Sequence, residues 1–318
     1  MTSPSGSKPG PVVAIVVTYN RKSLLQVCLD KLLAQSYPLD GIIVIDNASE
    51  DGTGELVAQK RAAFPQIEYV RMPENLGGAG GFHEGVKQGY DRGFHFLWLV
   101  DDDAEPEEHC LEELIRGFIE LRPGGPVAAL FPLKVTPEGK YYGGKYRYVD
   151  HYSPLQQLRW HLGPELTGAD LAQKYIPITT FGFEGLLIPA EIVARAGFPD
   201  PRFFIYFDDY EYSLRLKQHG RILLCSQARM KTREGQRPLS SGKLDWRRYY
   251  SVRNRVYIQR QIGSGWMKFI DPLLFTMESL AGAVRHRRSL RNLKLVFQAA
   301  RDGWLGRLGK TIDPARAG

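Results

Sequence analysis

Four apolar runs alternate with helix-spaced segments over the first hundred residues of the chain. The runs have the character of strands buried on both faces of a parallel sheet, and they span 12–18, 42–45, 67–72 and 94–100. Apolar residues at helical spacing follow the first three runs and end near positions 35, 64 and 90. This order predicts an α/β fold with a mostly parallel sheet flanked by helices.

Polar side chains follow each of these predicted strands. In a parallel sheet, ligands bind beyond the carboxyl ends of the strands, which meet at one edge. We therefore expect a single site that collects the residues after the four strands: Thr18, Tyr19, Asn20 and Arg21, then Asp46 and Asn47, then 75–82, and finally 101–103.

Three consecutive carboxylates, Asp101, Asp102 and Asp103, close the fourth apolar run. Like charges at this spacing repel one another, and a bound cation relieves the repulsion. A hard divalent ion that also contacts phosphate oxygens suits such ligands. The alternative is a solvated acidic loop that caps the following helix.

A glycine-rich segment, 75–82 (NLGGAGGF), lies between the third strand and the next helix. Phosphate can approach a backbone without side chains closely, and a helix N-terminus attracts anions. Neither the dinucleotide-binding glycine pattern nor a P-loop occurs in the chain. The alternative is that these glycines only permit tight packing of the helix on the sheet.

Carboxylates elsewhere are further candidates for chemistry. Asp46 ends the second strand, where it either accepts a hydrogen bond from a ribose or base or starts an Asx-turn into Ser49. Asp208 and Asp209 begin a predicted helix over 207–220. Asp208 suits an N-cap, whereas Asp209 is a candidate general base that deprotonates a hydroxyl group.

The chain beyond residue 123 is less regular until helical spacing returns near its end. Short strands are expected at 127–131 and 186–188, and hairpins or a loop over the site at 141–152. Helices are predicted at 245–262, 267–284 and 289–303. This pattern divides the chain into a disordered N-terminus (1–11), a catalytic domain (12–240) and a helical, basic C-terminal region (241–318).

The basic excess of the chain is concentrated in this C-terminal region. The whole chain has a net charge of +7, and positions 285–310 contain eight Lys or Arg residues and one acid. Interleaved with leucines and aromatic residues, these cations suit helices that lie on an anionic membrane surface. The alternative is a solvated helix pair packed on the catalytic domain. Because the remainder is neutral on balance, we expect no nucleic-acid partner.

Targeting signals are not expected in this chain. Its start is polar, and no apolar stretch reaches the roughly 20 residues that a membrane span needs. The three cysteines are widely spaced, which favours a reducing compartment. The expected location is therefore cytoplasmic, with peripheral association at the inner face of the cell membrane.

In this order, the motifs resemble family 2 glycosyltransferases of the GT-A fold. The resemblance covers roughly 12–225 and rests on TYNR at 18–21, IVIDNASEDGT at 43–53, NLGG at 75–78, the aspartates at 101–103 and the acidic pair at 208–209. The segments 75–82 and 98–103 are similar to those of bacterial galactofuranosyltransferases. Rhamnosyltransferases of the same family, which use dTDP-rhamnose, are the main alternative.

The resemblance implies an inverting transfer of galactofuranose from UDP-galactofuranose to a hydroxyl group of a lipid-linked or polysaccharide acceptor. Asp209 would be the general base, and Asp101 and Asp103 would hold Mn²⁺ or Mg²⁺. The implied donor-binding residues are Thr18, Tyr19, Asn20, Arg21, Asp46, Asn75, Gly77, Gly78 and Asp102. The implied acceptor-binding residues are Phe183, Glu184, Asp208 and Glu211.

The chain departs from this family at one point. Related enzymes carry a histidine after the base as a third metal ligand, whereas 225–235 contains none. Either water completes the metal site, or Lys231 or Arg233 neutralises the diphosphate directly.

Two other classes of protein remain open. A nucleotidyltransferase shares the α/β sheet and the acidic metal site, but it needs a glycine-rich phosphate loop after the first strand, and 18–21 contains no glycine. A non-catalytic module that binds lipid surfaces or nucleic acid would explain the basic C-terminal region. It would leave 101–103 and Asp209 without a role.

Overall fold

The structure is a computed structural model that describes residues 9–141, 166, 168–178, 182–232, 246–262, 265–285 and 290–312. The hairpins or loop predicted at 141–152 lie outside the described residues, except for Tyr141. Most of the predicted disordered N-terminus also lies outside them. Within its described end, the carbonyl group of Pro11 accepts hydrogen bonds from the main chain of His95 and Phe96.

The described residues form nine strands, ten α-helices and two short 3₁₀ helices, the last two at Arg122–Gly124 and Pro201–Phe203. The strands are β1 (Val12–Thr18), β2 (Gly41–Asp46), β3 (Ile67–Arg71), β4 (Phe96–Asp101), β5 (Ala104–Pro106), β6 (Val127–Val135), β7 (Tyr175–Pro177), β8 (Leu186–Pro189) and β9 (Arg221–Thr232). The helices are α1 (Lys22–Leu33), α2 (Thr53–Ala63), α3 (Gly77–Asp91), α4 (Cys110–Leu121), α5 (Gly168–Leu171), α6 (Ala190–Ala196), α7 (Asp208–Lys217), α8 (Trp246–Ile262), α9 (Met267–Arg285) and α10 (Leu290–Trp304).

One mixed sheet contains all nine of these strands, in the order β3-β2-β1-β4-β8-β6-β9-β5, with β7 beside β9. Strands β3, β2, β1 and β4 are parallel to one another. The register pairs Thr18 with Asp46 and Val17 with Asp101, so that β1, β2 and β4 end at the same edge. The predicted α/β fold, with polar residues converging on one sheet edge, is confirmed.

Both faces of the sheet are covered, which explains why its central strands are apolar at every position. On one face, Val12 and Val16 belong to a core that includes Leu25 of α1. On the other face, Val13 and Ile15 belong to a second core with residues of α3. Alternating side chains of one strand therefore supply two different cores, and no position is left for a polar residue.

Helix α3 approaches β1 closely because glycines line its sheet-facing side. A β-carbon on Gly81 would lie 2.4 Å from a methyl group of Val17, and one on Gly85 would lie 2.3 Å from Ile15. The expected glycine-rich turn before the helix is corrected here, because α3 begins at Gly77 and contains these glycines. At Gly81, therefore, the structure supports the alternative that the glycine permits tight packing of the helix on the sheet.

The three C-terminal helices pack into a layer with its own apolar core. Tyr249 and Val256 of α8 share this core with Phe275 of α9 and Val296 of α10. The helices predicted from sequence spacing are confirmed within one or two residues at each end. Among the described residues, no helix is both long and apolar enough to cross a bilayer.

The middle of the chain contains more sheet than the sequence indicated. Strand β6 continues beyond the expected end at 131 to Val135, and β9 was not predicted. Charged residues mask the apolar pattern of both strands, namely Lys134 in β6 and Arg221, Arg229 and Lys231 in β9. The strand predicted at 186–188 is confirmed as β8.

Candidate active site

Thr18, Arg21 and Asp102 form one hydrogen-bonded unit where β1 and β4 end. The Thr18 hydroxyl group donates to one oxygen of Asp102 at 2.7 Å, and Arg21 donates to the other. Arg21 also pairs with Asp103 at 2.8 Å. Burial raises the pKa of Asp102 to about 6, although Arg21 and Thr18 both act to lower it. Three predicted donor-binding residues thus hold one another in place.

Tyr19 and Asn20, which lie between Thr18 and Arg21 in the sequence, are exposed at the surface. Tyr19 is 44% exposed, so its ring is accessible for stacking on a base. The main-chain N–H of Asn20 donates to Ser49 Oγ at 2.8 Å, and its side-chain oxygen accepts from the N–H of Glu50 at 2.8 Å. Asn20 therefore ties the end of β1 to the turn that follows β2.

Asp46 is fully buried at the end of β2. One of its oxygens accepts from the Ser49 N–H at 2.9 Å, and the other accepts from the Tyr69 hydroxyl group at 2.5 Å. Burial and this contact with Asp46 raise the pKa of Tyr69. The contact with Ser49 is the one that the Asx-turn alternative predicts. The contact with Tyr69 adds a second internal partner for the Asp46 carboxylate. Each oxygen could accept a further hydrogen bond, but Asp46 is fully buried, so a donor contact through it would require neighbouring side chains to move.

Two asparagines hold the N-terminus of α3. The Gly77 N–H donates to Asn75 Oδ1 at 2.8 Å, and Asn47 Nδ2 donates to the Gly77 carbonyl group at 3.1 Å. Gly77 is packed against Phe204, whereas a β-carbon on Gly78 would meet nothing within 4 Å. Gly78 is therefore the position where another molecule can approach the first turn of α3.

A partly buried ion pair lies close enough to Asp101 to affect its pKa. Lys134, 9% exposed on β6, pairs with Glu184, which precedes β8. Glu184 is a predicted acceptor-binding residue, but Lys134 is not among the predicted site residues. A signal was present in the sequence, since Lys134 is the single charged residue in the apolar run 127–135. A lysine in such a run requires a buried partner.

Asp101 carries an excess of negative charge around it. Burial is the largest cause that raises the pKa of Asp101 above its usual range, followed by the carboxylates of Glu184 and Asp103. Lys134 acts in the opposite direction. A bound cation would relieve this repulsion.

Asp209 approaches the same ion pair from the first turn of α7. Burial raises the pKa of Asp209 to about 6, Glu184 raises it as well, and Lys134 opposes the shift. A β-carbon on Gly182 would lie 3.5 Å from Asp209 Oδ2 and 3.7 Å from Glu184 Oε1, so the two carboxylates flank Gly182. Asp209 and Asp101 therefore both interact with the Lys134–Glu184 pair.

The other predicted acceptor-binding residues have partners within the protein. Asp208 is buried as the first residue of α7, one position after the N-cap role expected for it, and burial raises its pKa. Glu211 pairs with Arg215 at 2.7 Å. The ring of Phe183, 5% exposed, lies 4.5 Å from that of Phe82. Acceptor contacts by these residues stay predictions.

Strained backbone borders the site. The described non-glycine residues with a positive φ are Asn20, Ala48, Phe204, Tyr206 and Phe207. They lie in the segments after β1, after β2 and before α7. These three segments carry or adjoin candidate site residues. Such conformations are costly for non-glycine residues and collect at functional sites, where the surrounding structure imposes them.

The candidate ligands for a divalent cation at this edge are the carboxylates of Asp101 and Asp103. Asp101 and Asp103 offer the hard oxygen ligands that Mn²⁺ and Mg²⁺ accept. Among the described residues, no group of three or more His, Cys, Asp or Glu side chains is arranged to hold a metal ion. A cation at this edge would therefore take at most two carboxylate ligands from the described residues. Lys231 lies opposite Glu105 in the sheet, and Arg233 is outside the described residues.

Comparison with known proteins gives matches over most of the chain. A family model described as Glycosyl transferase family 2 matches residues 13–184. Galactofuranosyltransferase GlfT1 of Mycolicibacterium smegmatis is 27% identical over 292 residues, covering 85% of this chain and 92% of that protein. S. aureus TarS 1–349 in complex with UDP superposes with a TM-score of 0.59 at 14% identity, covering 91% of this chain and 80% of that one. The structure of GalNAc-T7 with UDP, GalNAc and Mn²⁺ matches with a TM-score of 0.63 at 15% identity. The match covers 91% of this chain and 54% of the GalNAc-T7 chain.

Proposed function

Since this chain belongs to glycosyl transferase family 2 and is a glycosyltransferase with the GT-A fold, we propose that the sugar it transfers is galactofuranose, taken from UDP-galactofuranose. The similarity to galactofuranosyltransferase GlfT1, which extends over most of both chains, supports this donor. The proposed acceptor is a hydroxyl group of a lipid-linked or polysaccharide glycan.

The observation that carries the proposed transfer chemistry is the position of Asp209 beside Glu184. Asp209 has a pKa of about 6, so its carboxylate is ionised at neutral pH yet still basic enough to take a proton. In the proposed reaction, Asp209 accepts the proton of the acceptor hydroxyl group as that oxygen bonds to the anomeric carbon. The bond from that carbon to the UDP oxygen breaks on the opposite face, which inverts the configuration and releases UDP.

Glu184 and Lys134 complete the acceptor side of this proposal. The Lys134 ammonium group holds Glu184 next to Asp209 and keeps one positive charge among the carboxylates. Glu184 would accept a hydrogen bond from a second hydroxyl group of the acceptor sugar and so orient the first toward Asp209. Such positioning contributes to rate by keeping the reacting atoms in contact.

The donor side would be formed by the ends of β1 and β4 and the start of α3. Thr18 and Arg21 hold Asp102, Tyr19 is exposed for the base, and Gly78 is open for the diphosphate. Asp101 and Asp103 would hold Mn²⁺ or Mg²⁺, which supplies positive charge to the leaving diphosphate when bound. Of the remaining donor-binding predictions, Asn20 is exposed and Asn75 is half-buried, whereas Asp46 and Gly77 are buried and would be reached only if neighbouring groups moved.

An anionic membrane surface is the proposed location of the reaction, on the cytoplasmic side. Helix α9 exposes Trp266, just before its start, and then Phe269, Leu273 and Met277, with exposed fractions of 53–62%. Their spacing places them along one side of the helix, a stripe that water solvates poorly. Lys268 is exposed beside them.

Helix α10 carries further exposed apolar and basic residues next to α9. Phe269 stacks on Trp304 with ring centres 6.2 Å apart, so the start of α9 lies against the end of α10. Phe297 of α10 is 62% exposed, and Lys294 and Arg301 are exposed on the same helix. An exposed apolar face bordered by cations fits the interface of an anionic bilayer. The inward residues of α10, such as Val296, pack on α8 instead, so the apolar contact with lipid would come mainly from α9.

A panel of nucleotide sugars tests the proposed donor. Purified protein with Mn²⁺ is offered UDP-galactofuranose, UDP-galactopyranose and dTDP-rhamnose, and released nucleotide is measured with a membrane-extract acceptor. Turnover that is strongest with UDP-galactofuranose supports the proposal, whereas turnover with dTDP-rhamnose would make the protein a rhamnosyltransferase. Release of pyrophosphate from UTP and a sugar phosphate would make it a nucleotidyltransferase.

A further inference from the structure

A strained segment leads directly into the first turn of α7. In the five residues 203–207, Phe204, Tyr206 and Phe207 have φ angles of 67°, 64° and 67°. Aromatic residues rarely adopt this left-handed conformation, because the β-carbon crowds the backbone there. Contacts from outside the segment must therefore impose its shape.

Asn254 of helix α8 supplies three of those contacts. Asn254 is fully buried, and its amide nitrogen lies 3.0 Å from the carbonyl oxygen of Phe203 and 2.8 Å from those of Ile205 and Tyr206. Three carbonyl groups of one strained segment thus share the two hydrogens of a single amide. The Phe203 carbonyl group also accepts from the Ile205 N–H at 2.9 Å, whereas the contacts described for the Ile205 and Tyr206 carbonyl groups come from Asn254.

Arg253 orients that amide. It is also fully buried, and its Nε donates to Asn254 Oδ1 at 2.8 Å while Nη2 donates to the Phe203 carbonyl group at 2.9 Å. The oxygen of Asn254 is therefore fixed by Arg253, which directs the amide nitrogen toward the segment. Arg253 Nη1 reaches Gly309, so the end of the described chain is anchored to the same pair.

The segment 203–207 contacts the start of α3, on the proposed donor side, and leads into α7, which carries Asp209. Its Phe204 carbonyl group accepts from the Ala79 N–H in the first turn of α3 at 3.0 Å. Tyr206, whose carbonyl group Asn254 holds, is three residues before Asp209. The Phe207 carbonyl group then accepts from the Glu211 N–H at 2.9 Å, which starts α7. The location of the Asp209 carboxylate therefore depends on the shape of 203–207.

We propose that Asn254 is a positioning residue that places the Asp209 carboxylate against Glu184 by clamping the carbonyl groups of 203–207. It touches no reacting atom and acts through Asp209. This inference rests on the proposed function, since it assumes that Asp209 takes the acceptor proton. It also gives the helical C-terminal region a role in the site that its composition does not indicate.

The test compares Asn254→Ala, Asp209→Asn and the double variant. We expect Asn254→Ala to lower kcat by about 10- to 100-fold, because a small misplacement of a catalytic group has effects of this size. The Kd for UDP should stay within a few-fold. In the Asp209→Asn background, adding Asn254→Ala should cause no further loss, because residues that act through one another are not additive.

The matched control is Val256→Ala in the same helix. Val256 is fully buried and shares an apolar core with Phe204, but its side chain has no polar group that could hold the carbonyl groups of the segment. The Val256→Ala variant should have a lower melting temperature than the wild type, but the same kcat at a temperature where the variant is folded. Amide exchange over 203–210 should rise in Asn254→Ala and stay unchanged in Val256→Ala. Asn254→Gln, which keeps the amide group, covers the case in which the alanine variant does not fold, and it should retain more activity.

The outcomes separate this inference from the proposed function. Full turnover in Asp209→Asn removes the base and with it the proposed mechanism. If Asp209→Asn is inactive but Asn254→Ala and Asn254→Gln both keep wild-type kcat, the positioning role is overturned alone. A further loss in the double variant, or unchanged amide exchange in Asn254→Ala, also overturns it.

Discussion

Gly77 and Phe204 are so close that a β-carbon on Gly77 would lie 2.0 Å from the Phe204 carbonyl oxygen. Gly77 also has a φ of 72°, which an L-residue adopts with strain. The first turn of α3 and the segment before α7 therefore meet at a point where only glycine fits. This contact joins the predicted donor side of the site to the predicted base.

Replacement of Gly77 by alanine should destabilise the protein by about 3 kcal/mol or more, since steric overlap with backbone adds to an unfavourable φ. Urea denaturation measures the change. Gly78→Ala is the matched control, because its β-carbon would meet nothing within 4 Å and alanine favours a helix. Equal stability losses in the two variants would contradict the close contact with Phe204.

Asp209→Asn should lower kcat by about 100- to 10,000-fold, the range expected when a general base is removed. UDP affinity should stay within a few-fold, because Asp209 acts on the acceptor. Steady-state turnover and calorimetric titration of UDP measure the two quantities. Glu191→Gln, the same change of a carboxylate to an amide in the first turn of α6, is the control and should keep wild-type turnover.

The same Asp209→Asn variant should be more stable than the wild type at neutral pH. The pKa of Asp209 is about 6 in the folded protein against an ordinary value of 3.8, so its ionisation opposes folding. That cost is absent below about pH 4, grows as the pH rises to about 6, and then stays constant at up to about 3 kcal/mol. Melting temperatures between pH 4 and 8 should show a gain that shrinks toward pH 4. A gain that grew toward low pH would contradict the raised pKa.

Asp103→Ala should weaken UDP binding in the presence of Mn²⁺ by about tenfold or more, because a phosphate-bridging cation loses one of its two carboxylate ligands. In EDTA the variant and the wild type should bind UDP alike. Calorimetric titration under both conditions separates a metal ligand from a residue that only pairs with Arg21. Equal affinities with Mn²⁺ present would remove Asp103 from the metal site.

Replacing Trp266, Leu273 and Met277 by serine should release the protein from vesicles that contain phosphatidylglycerol. We expect the affinity to fall by roughly tenfold or more, since burial of one large apolar side chain contributes about 1.5–3 kcal/mol. Co-sedimentation measures binding. Ile119→Ser, an exposed apolar residue of α4, is the control. Unchanged binding of the triple variant would rule out α9 as the contact, and a shift to monomer in light scattering would identify the face as a dimer interface.

Much of the site could be predicted from the sequence because it lies where the strands end. A continuous apolar run must be buried on both faces, so the polar residues that follow it, such as Thr18 and Asp101, must emerge at the sheet edge. The first turn of α7 was predictable for a related reason, since acidic residues followed by helical spacing mark a helix start.

Other features depended on contacts between distant parts of the chain. The Asx-turn from Asp46 into Ser49 is one of two alternatives that the sequence leaves open, but the sequence does not predict the hydrogen bond from Tyr69 of the neighbouring strand to the other oxygen of Asp46. Lys134 reads as an interruption of an apolar run, yet Glu184 neutralises it inside the protein. Neither partner follows from local spacing, because each lies on a different strand or turn.

The order of residues alone therefore determined the alternation of strands and helices, the edge where the site forms and the acidic groups that would carry the chemistry. These depend on periodicity and on burial, which are local properties of the chain. Only the tertiary structure decided which carboxylate meets which cation, and that Asn254 of α8 holds the segment before Asp209. Those relations arise from side chains far apart in sequence that satisfy one another's hydrogen bonds in a buried, low-dielectric interior.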